Sequence, residues 1–306
     1  MARRGGRLIA LFALPILALV LSVAPILALV LSVLPVPPAQ ARACDADRIV
    51  QMTAAYVDKR PVKSLGPELT MAEALCAQTA LVARLSRELG RPIGYKVGLT
   101  SKAAREMFGA TTSVHGVLLE GMLLPDGAEV SVDYGIRPIF EPDLLVTVKD
   151  EGVNDAKTPL EVARHLEAVI PFVELADLAM AEGEPLSPEM ITAINVGARL
   201  GVIGAPVPIS PGVDFVDALG TMTVITTDAS GNQLSKASGK AILGHPLNAV
   251  IWLAEHLAES RIKLKAGDII SLGSFARPRP PEPGQTVTVR YEGLPGGAMQ
   301  VSVTFR

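Results

Sequence analysis

The sequence predicts an α+β fold with a small helical cap at its N-terminal side. Helical periodicity dominates up to residue 110, whereas short alternating or apolar segments typical of β-strands dominate from residue 114 to the C-terminus. The Pro- and Gly-rich joints at 204–212 and 278–284 are too short to link separate domains. We therefore predict a cap with the first strand over residues 44–110 and one β-rich domain over residues 111–306.

The first 43 residues have the layout of a secretory signal peptide. Three arginines precede an uncharged apolar stretch over 8–38, and small residues follow it. The stretch is long because nine residues, Pro15–Val23, are repeated exactly at Pro25–Val33. We expect cleavage between Ala41 and Cys44 and a periplasmic or secreted protein that meets a membrane only through this segment. The alternative is an uncleaved membrane anchor, since the apolar run is long enough to span a bilayer.

The composition excludes two classes of protein. Hydrophobic residues make up 49% of the chain and charged residues 19%, which favours a folded core over disorder. The net charge is −3 and no basic cluster stands out, so we expect no nucleic-acid partner.

The two cysteines, Cys44 and Cys76, could pair in an oxidising compartment or stay unpaired with Cys76 buried. We expect a homo-oligomer of a size that the sequence leaves open.

Several helices begin or end at recognisable signals. Residues 46–59 form a short predicted helix, and Thr70 is the N-cap of an amphipathic helix that ends at Gly90. Ser101 begins a helix of about two turns. Two further helices are predicted at Pro159–Ala168 and Pro246–Glu259, the second from an apolar stripe at helical spacing.

The predicted strands begin with the alternation of apolar residues with Gly94, Lys96 and Gly98. The strands that follow are Val114–Leu119, Arg137–Val148, Val169–Ala176, Ala198–Ile203, Thr221–Thr227, Asp268–Leu272, Thr286–Tyr291 and Gln300–Phe305.

Three carboxylates fall inside apolar strands. Glu141 and Asp143 are two residues apart and therefore project from the same face, where two like charges repel and lose solvation unless a cation compensates. Glu174 lies in another apolar strand. Three converging carboxylates with water in the remaining positions suit Mg²⁺ or Mn²⁺. The alternative is a pair of solvent-facing acids on an edge strand and an unrelated third.

Lys96 and His115 are further candidates for chemistry. Gly94 and Gly98 would leave the face of Lys96 open, so that this lysine could hold an anionic substrate, although an ordinary exposed lysine is the simpler interpretation. His115 lies in a short strand. The sequence contains no signature of a Ser-His-Asp triad, no phosphate-binding Walker motif and no dinucleotide-binding glycine motif after a strand.

Five segments, in order, resemble the 2-keto-4-pentenoate hydratases, the 2-oxohept-4-ene-1,7-dioate hydratases and the 4-oxalocrotonate decarboxylases of the fumarylacetoacetate hydrolase superfamily. They are Gly94–Lys102 (Gly-Tyr-Lys-Val-Gly-Leu-Thr-Ser-Lys), Arg137–Asp143 (Arg-Pro-x-x-Glu-x-Asp), Val173–Asp177 (Val-Glu-x-x-Asp), Leu243–Leu253 and Leu264–Ser274. The resemblance covers nearly the whole chain after the signal segment. It implies a mixed β-sheet roll of the fumarylacetoacetate hydrolase type.

The resemblance also implies a site and a reaction. Glu141, Asp143 and Glu174 fall on the metal ligands of the family, and Lys96 on its active-site lysine. The implied activity is that of a divalent-metal-dependent lyase on a small 2-oxo or 2-hydroxy-dienoic acid, with hydration as the first choice. The same chemistry would serve a decarboxylase or a C–C hydrolase of acylpyruvates. If the loop after Gly273 lines the pocket, Ser274 and Arg277 would contact the substrate, with Arg277 pairing with a second carboxylate. The alternative is a solvated basic loop held stiff by Pro278 and Pro280.

The chain departs from the family at three points. Asp143 stands where relatives usually have Glu. Ser113-Val114-His115-Gly116 stands where relatives have Pro-Asp-aromatic-Gly, so a carboxylate is missing and His115 could take over proton transfer. Export is unusual for catabolic hydratases. These departures leave open a second class of function, an exported protein that binds a metal and a 2-oxo acid without turnover.

Overall fold

The computed structural model describes residues 46–306, which belong to one compact unit. The predictions on the signal segment, on its cleavage and on the pairing of Cys44 concern residues outside this range. Within it, no helix is both long enough and apolar enough to cross a membrane.

The helices start where the sequence provides caps. The best example precedes the second helix, where the Thr70 hydroxyl accepts from the Glu73 amide and the Glu73 carboxylate accepts from the Thr70 amide. The helices are α1 Ala46–Val57, α2 Met71–Leu89, α3 Lys102–Phe108, α4 Pro159–Arg164, α5 Pro188–Ala193, α6 Val213–Thr221 and α7 Asn248–Glu259. Helices α1 and α2 pack against each other through one apolar cluster.

The strands form two sheets. The strands are β1 Pro92–Gly98, β2 Val114–Leu119, β3 Leu123–Pro125, β4 Ala128–Val130, β5 Pro138–Val148, β6 Leu166–Asp177, β7 Leu200–Ile203, β8 Val207–Pro208, β9 Thr223–Asp228, β10 Gln233–Ser238, β11 Ile269–Ser271, β12 Thr286–Glu292 and β13 Met299–Phe305. The larger sheet has the order β2-β1-β11-β5-β6-β7-β3, with β8 paired to β6, and the smaller has the order β10-β9-β12-β13-β4. Parallel and antiparallel pairs occur in both, which confirms the predicted α+β class with a mixed sheet.

The core lies between the two sheets, with α6 and α7 against it. Phe140 of β5 contacts Phe305 of β13, with ring centroids 5.5 Å apart. The Tyr291 hydroxyl of β12 donates to the Phe172 carbonyl of β6. A second apolar cluster joins α1, α2 and α5 over the edge of the larger sheet. The long strands β5 and β6 therefore have one face in the core, and their position is fixed by burial.

Several predicted boundaries differ from the structure, and two of them lie where a helix meets a strand. The helix predicted to reach Ala168 ends at Arg164, because the apolar residues from Leu166 onward are buried as strand β6. The strand predicted from Thr221 starts at Thr223, because α6 extends to Thr221. Helices α5 and α6 and the strands β3, β4, β8 and β10 were not predicted from the sequence.

Candidate active site

Two of the three predicted carboxylates face each other across strands β5 and β6. The antiparallel register places Glu141 directly opposite Glu174. Side chains of such a pair are neighbours, and like charges in these positions repel. The Lys96 ammonium of β1 contacts the Glu174 carboxylate and also donates to the Val196 carbonyl at 2.9 Å. The structure therefore brings together the lysine and two of the acids, with the ammonium compensating part of their charge.

Burial dominates the electrostatics of this group. Lys96 is 3% exposed and Glu174 4%. Burial lowers the pKa of Lys96 to about 8, and the nearby charges of Glu141 and Asp143 oppose that shift. Burial raises the pKa of Glu141 to about 7, against the influence of Lys96. An additional positive charge in the cavity would therefore favour the ionised form of Glu141.

Asp143 lies on the same strand but its carboxylate has other partners. It is fully buried and accepts hydrogen bonds from the Ser271 hydroxyl and from the amides of Gly273 and Leu144. Burial raises its pKa to about 6, and these hydrogen bonds oppose the shift. Asp143 does not line the cavity that Glu141 and Glu174 line. The structure does not bring it to the same open space as the other two acids.

A cavity of about 480 Å³ opens above the carboxylate pair. Lys96, Glu141, Glu174 and Ser274 give it a polar base, and residue Arg277 lies at its exposed rim. The remaining wall is largely apolar and comes from β5, β6 and helices α3 and α5. Charges in such a cavity are poorly screened by water, which strengthens their action on a bound anion.

A tight loop that the sequence analysis missed completes the base. Asn195, Val196 and Gly197 all have left-handed backbone conformations, with φ of 57°, 54° and 66°. This conformation is strained for a β-branched residue such as Val196. The Asn195 side chain fixes the loop, because it accepts from the Val117 amide and donates to the Val117 carbonyl. The loop thereby places the Val196 carbonyl where it accepts a hydrogen bond from Lys96. Apart from Gly197, no residue of the loop indicates this conformation in the sequence.

The glycines beside Lys96 make room for protein rather than for a ligand. A Cβ on Gly98 would lie 2.5 Å from Val196 Cγ1, and one on Gly116 would lie 2.6 Å from the Asn195 carbonyl oxygen. A Cβ on Gly94 would overlap the backbone of Ile269. Adjacent backbone and side chain therefore occupy the space that the sequence analysis left to a ligand beside these glycines, although Gly98 itself lines the cavity.

His115 lies on the opposite face of the sheet from Lys96. In the register of β1 and β2, Lys96 is opposite Gly116 and His115 is opposite Val97. The His115 ring packs against His256 of α7, with centroids 5.0 Å apart, and against Tyr95. Burial lowers its pKa to about 4. The structure does not bring His115 into the cavity, so it does not replace the missing family carboxylate.

The carboxylate pair suits a divalent cation. Among residues 46–306, no three acidic, histidine or cysteine side chains are grouped as a complete ligand set. Oε1 of Glu174 is buried, and apart from its ion pair with the Lys96 ammonium it has no hydrogen-bond partner among the described residues. Mg²⁺ commonly binds through one or two carboxylates, with water and substrate in the other positions. Glu141 and Glu174 fit that donor set, with Asp143 buried behind them.

Known proteins resemble this chain over most of its length. No protein-family model matches it. It is 33% identical to 2-oxo-hept-4-ene-1,7-dioate hydratase of Escherichia coli over 233 residues, which cover 74% of this chain and 85% of the relative. It is 31% identical to 4-oxalocrotonate decarboxylase of Pseudomonas putida over 228 residues, which cover 74% and 84%.

The fold supports the same relationship. A structure of 4-oxalocrotonate decarboxylase from Pseudomonas putida G7, complexed with magnesium and adipate, superposes with a TM-score of 0.74 at 27% identity. It covers 88% of this chain and 99% of that protein. A putative fumarylacetoacetate isomerase/hydrolase from Oleispira antarctica shares the fold alone, with a TM-score of 0.50 at 14% identity. As the motifs predict, the chain belongs to the hydratase and 4-oxalocrotonate decarboxylase family of the fumarylacetoacetate hydrolase superfamily.

Proposed function

We propose that this protein is a divalent-metal-dependent lyase that hydrates a small 2-hydroxy-dienoic or 2-oxo acid. The observation that carries the proposal is the cross-strand pair of Glu141 and Glu174, with the Lys96 ammonium beside it, at the base of a largely apolar cavity. Such a base attracts a cation to the carboxylates and an anionic substrate to the cation and the lysine. The hydratase from Escherichia coli, at 33% identity, supports hydration as the reaction.

In this proposal Glu141 and Glu174 hold Mg²⁺ or Mn²⁺. The structure of a relative complexed with magnesium supports that choice of ion. Asp143 acts behind them, where it accepts hydrogen bonds from Ser271 and Gly273 and so links the middle of β5 to the end of β11. The bound cation supplies electrophilic stabilisation of negative charge that develops on the substrate.

Lys96, beside the carboxylate pair, binds the negative charge of the substrate and transfers protons. Its ammonium binds the substrate carboxylate, and a pKa of about 8 allows it to give or take a proton near neutral pH. The hydrogen bond to the Val196 carbonyl fixes the position of Nζ. Ser274 lines the cavity together with Glu141, and its hydroxyl donates to the Ala276 carbonyl at 2.6 Å.

Decarboxylation is the second candidate reaction. It is favoured by the relative from Pseudomonas putida at 31% identity and by the close structural match to the decarboxylase of strain G7. Both reactions need the same stabilised negative charge beside the 2-oxygen, so the base of the cavity serves either. The difference lies in whether water adds to the double bond or a carboxylate leaves as CO₂.

A substrate panel tests the proposal. Purified protein with Mg²⁺ or Mn²⁺ would be given 2-hydroxy-dienoates, a 4-oxalocrotonate and acylpyruvates, and the products identified by mass spectrometry and CO₂ release. The expected result is a metal-dependent loss of dienoate absorbance that yields the hydrated product, and loss of this activity in Lys96→Met. Release of CO₂ would assign decarboxylation, and cleavage of acylpyruvates would assign C–C hydrolysis. Binding without turnover of any compound would contradict an enzymatic role.

A further inference from the structure

Helix α3 presents an apolar face to the cavity instead of to the core. None of its residues is buried, yet Ala103, Ala104, Met107 and Phe108 all line the cavity. These positions lie on one side of a helix, because residues three and four apart are neighbours on its surface. Met107 is 65% exposed, which is unusual for a large apolar side chain.

The apolar wall continues beyond the helix. Phe108 packs against a cluster that contains Ile191 and Val196, and both of these also line the cavity. Leu178, which follows β6, extends the same wall. One continuous apolar surface therefore runs from the loop beside Lys96 to the exposed end of α3.

The size of the cavity exceeds what a short substrate needs. A volume of about 480 Å³ lies within the range of roughly 300–1,000 Å³ that is typical of sites for drug-sized ligands. A 2-oxo acid of about five carbons would occupy the polar base and leave the apolar wall in contact with water, which is unfavourable for both surfaces. Of the cations that line the cavity within residues 46–306, Lys96 is at the base and Arg277 is at the exposed rim. The space between them offers no charged partner.

We propose that the cavity accepts a 2-oxo or 2-hydroxy-dienoic acid with an extended apolar tail, and that α3, above all Met107, determines this specificity. The proposal rests on the proposed function for the acid end of the substrate, which binds at Lys96, Glu141 and Glu174. The tail lies along the wall formed by Met107, Phe108, Ile191 and Leu178. Each buried methylene of the tail then contributes to binding through the hydrophobic effect.

Binding of saturated 2-oxo acids tests the tail separately from turnover. Calorimetric titration with a series from 2-oxobutanoate to 2-oxodecanoate, in the presence of Mg²⁺, should show Kd falling by about fourfold for each added methylene until the wall is covered. In Met107→Gln the dependence on tail length should weaken, while the affinity for 2-oxobutanoate stays within about twofold of wild type.

Two further variants control the experiment. Val50→Gln removes an equally exposed apolar side chain, 65% exposed, on α1 and outside the cavity, and should leave the series unchanged. Ala103→Leu narrows the cavity at an exposed helical position and should weaken only the long-tailed acids. Equal affinity for all tail lengths in wild type would overturn the proposal. A second result would also overturn it, namely a changed sedimentation coefficient of Met107→Gln with an unaltered dependence of Kd on tail length. The apolar face of α3 would then contact another copy of the chain.

Turnover of 2-hydroxy-dienoates with short and long tails, measured beside this binding series, separates the inference from the proposed function. A steep dependence on tail length without turnover of any dienoate would refute the lyase and leave the apolar specificity intact. Turnover of short dienoates with no gain in kcat/KM from a longer tail would support the lyase and refute the apolar specificity.

Discussion

Glu141 and Glu174 are directly opposed residues of neighbouring antiparallel strands, and both line one cavity. The fold holds two like charges side by side at a largely dry position, which costs free energy unless positive charge is close. The Lys96 ammonium supplies part of that charge. A divalent cation would supply the rest, so metal binding and stability are coupled at this site.

The first prediction concerns Lys96→Met. Removing one partner of a buried ion pair leaves the other charge uncompensated, and the free energy of unfolding without metal should fall by about 3–5 kcal/mol. Mg²⁺ should then stabilise the variant more than wild type, because the ion replaces the missing ammonium between Glu141 and Glu174. Urea unfolding at pH 8 with and without Mg²⁺ measures both effects.

Lys157→Met is the matched control for that experiment. Lys157 pairs with Glu255 at 2.8 Å, but both side chains are more than half exposed, at 60% and 55%. The loss of such a surface pair should cost less than about 1 kcal/mol and should not change the effect of Mg²⁺. If Mg²⁺ raised the free energy of unfolding equally in wild type and Lys96→Met, the coupling of metal binding to the charge of Lys96 would be refuted.

The second prediction concerns the contact between Gly98 and the strained loop. A methyl group on Gly98 would meet Val196 Cγ1 at 2.5 Å, so Gly98→Ala should destabilise the protein by about 1–3 kcal/mol through overpacking. Val196→Ala removes Cγ1. In urea unfolding, the double variant should therefore lose less free energy of unfolding than the two single variants lose together, by at least about 1 kcal/mol. Strictly additive losses would show that the two positions do not touch.

The strands that carry the acids were predictable because their sequence is unambiguous. Long apolar runs broken by single carboxylates predict buried strands, and β5 and β6 confirm this at Pro138–Val148 and Leu166–Asp177. The motif around Lys96 also predicted its place beside the acids. The family and the mixed α+β fold followed from the same motifs and are confirmed by the relatives.

Other features were not predictable because they depend on tertiary packing. Nothing local distinguishes the left-handed loop around Val196, which is held by the distant Val117 backbone. The face of His115 depends on the pairing register of β1 and β2, which a short strand does not reveal. Asp143 accepts hydrogen bonds from Ser271 and Gly273, and both of these residues lie more than a hundred positions away in the chain.

The third prediction is a pH dependence of stability that arises from His115. Its neighbours are Tyr95 of its partner strand and His256 of α7. Burial and His256 lower its pKa from 6.5 to about 4, so the unfolded chain binds the proton more readily between these values. Stability contributed by the neutral ring is therefore present above pH 6.5 and is lost as the pH falls toward 4.

Unfolding titrations at pH 7 and pH 5 measure this contribution. Between pH 7 and pH 5, the free energy of unfolding of wild type should fall by on the order of 2 kcal/mol more than that of His115→Gln. The comparison with the variant removes the contributions of all other titrating groups. An identical loss in the two proteins would mean that His115 accepts a proton in the folded state as easily as in the unfolded chain.

The fourth prediction concerns Arg277 at the rim of the cavity. Because this side chain is exposed, a pair with a second substrate carboxylate is screened by water and should contribute less than about 1 kcal/mol. Arg277→Ala should therefore lower kcat/KM for dicarboxylates by no more than about fivefold and leave monocarboxylates unchanged. Arg279→Ala, next to the cavity but not lining it, is the control. A larger selective loss would show that Arg277 is covered when substrate binds and that the tail ends in a charge.

Thermal unfolding with Mn²⁺ tests whether Glu141 and Glu174 bind a divalent cation. At a concentration of a hundred times Kd, Mn²⁺ should stabilise wild type by about 2.7 kcal/mol, and Glu141→Gln should lose this gain because its neutral amide is a poor ligand. Glu282→Gln, an exposed acid outside the cavity, should keep the full gain. Unchanged stabilisation of Glu141→Gln by Mn²⁺ would place the metal elsewhere and contradict the account.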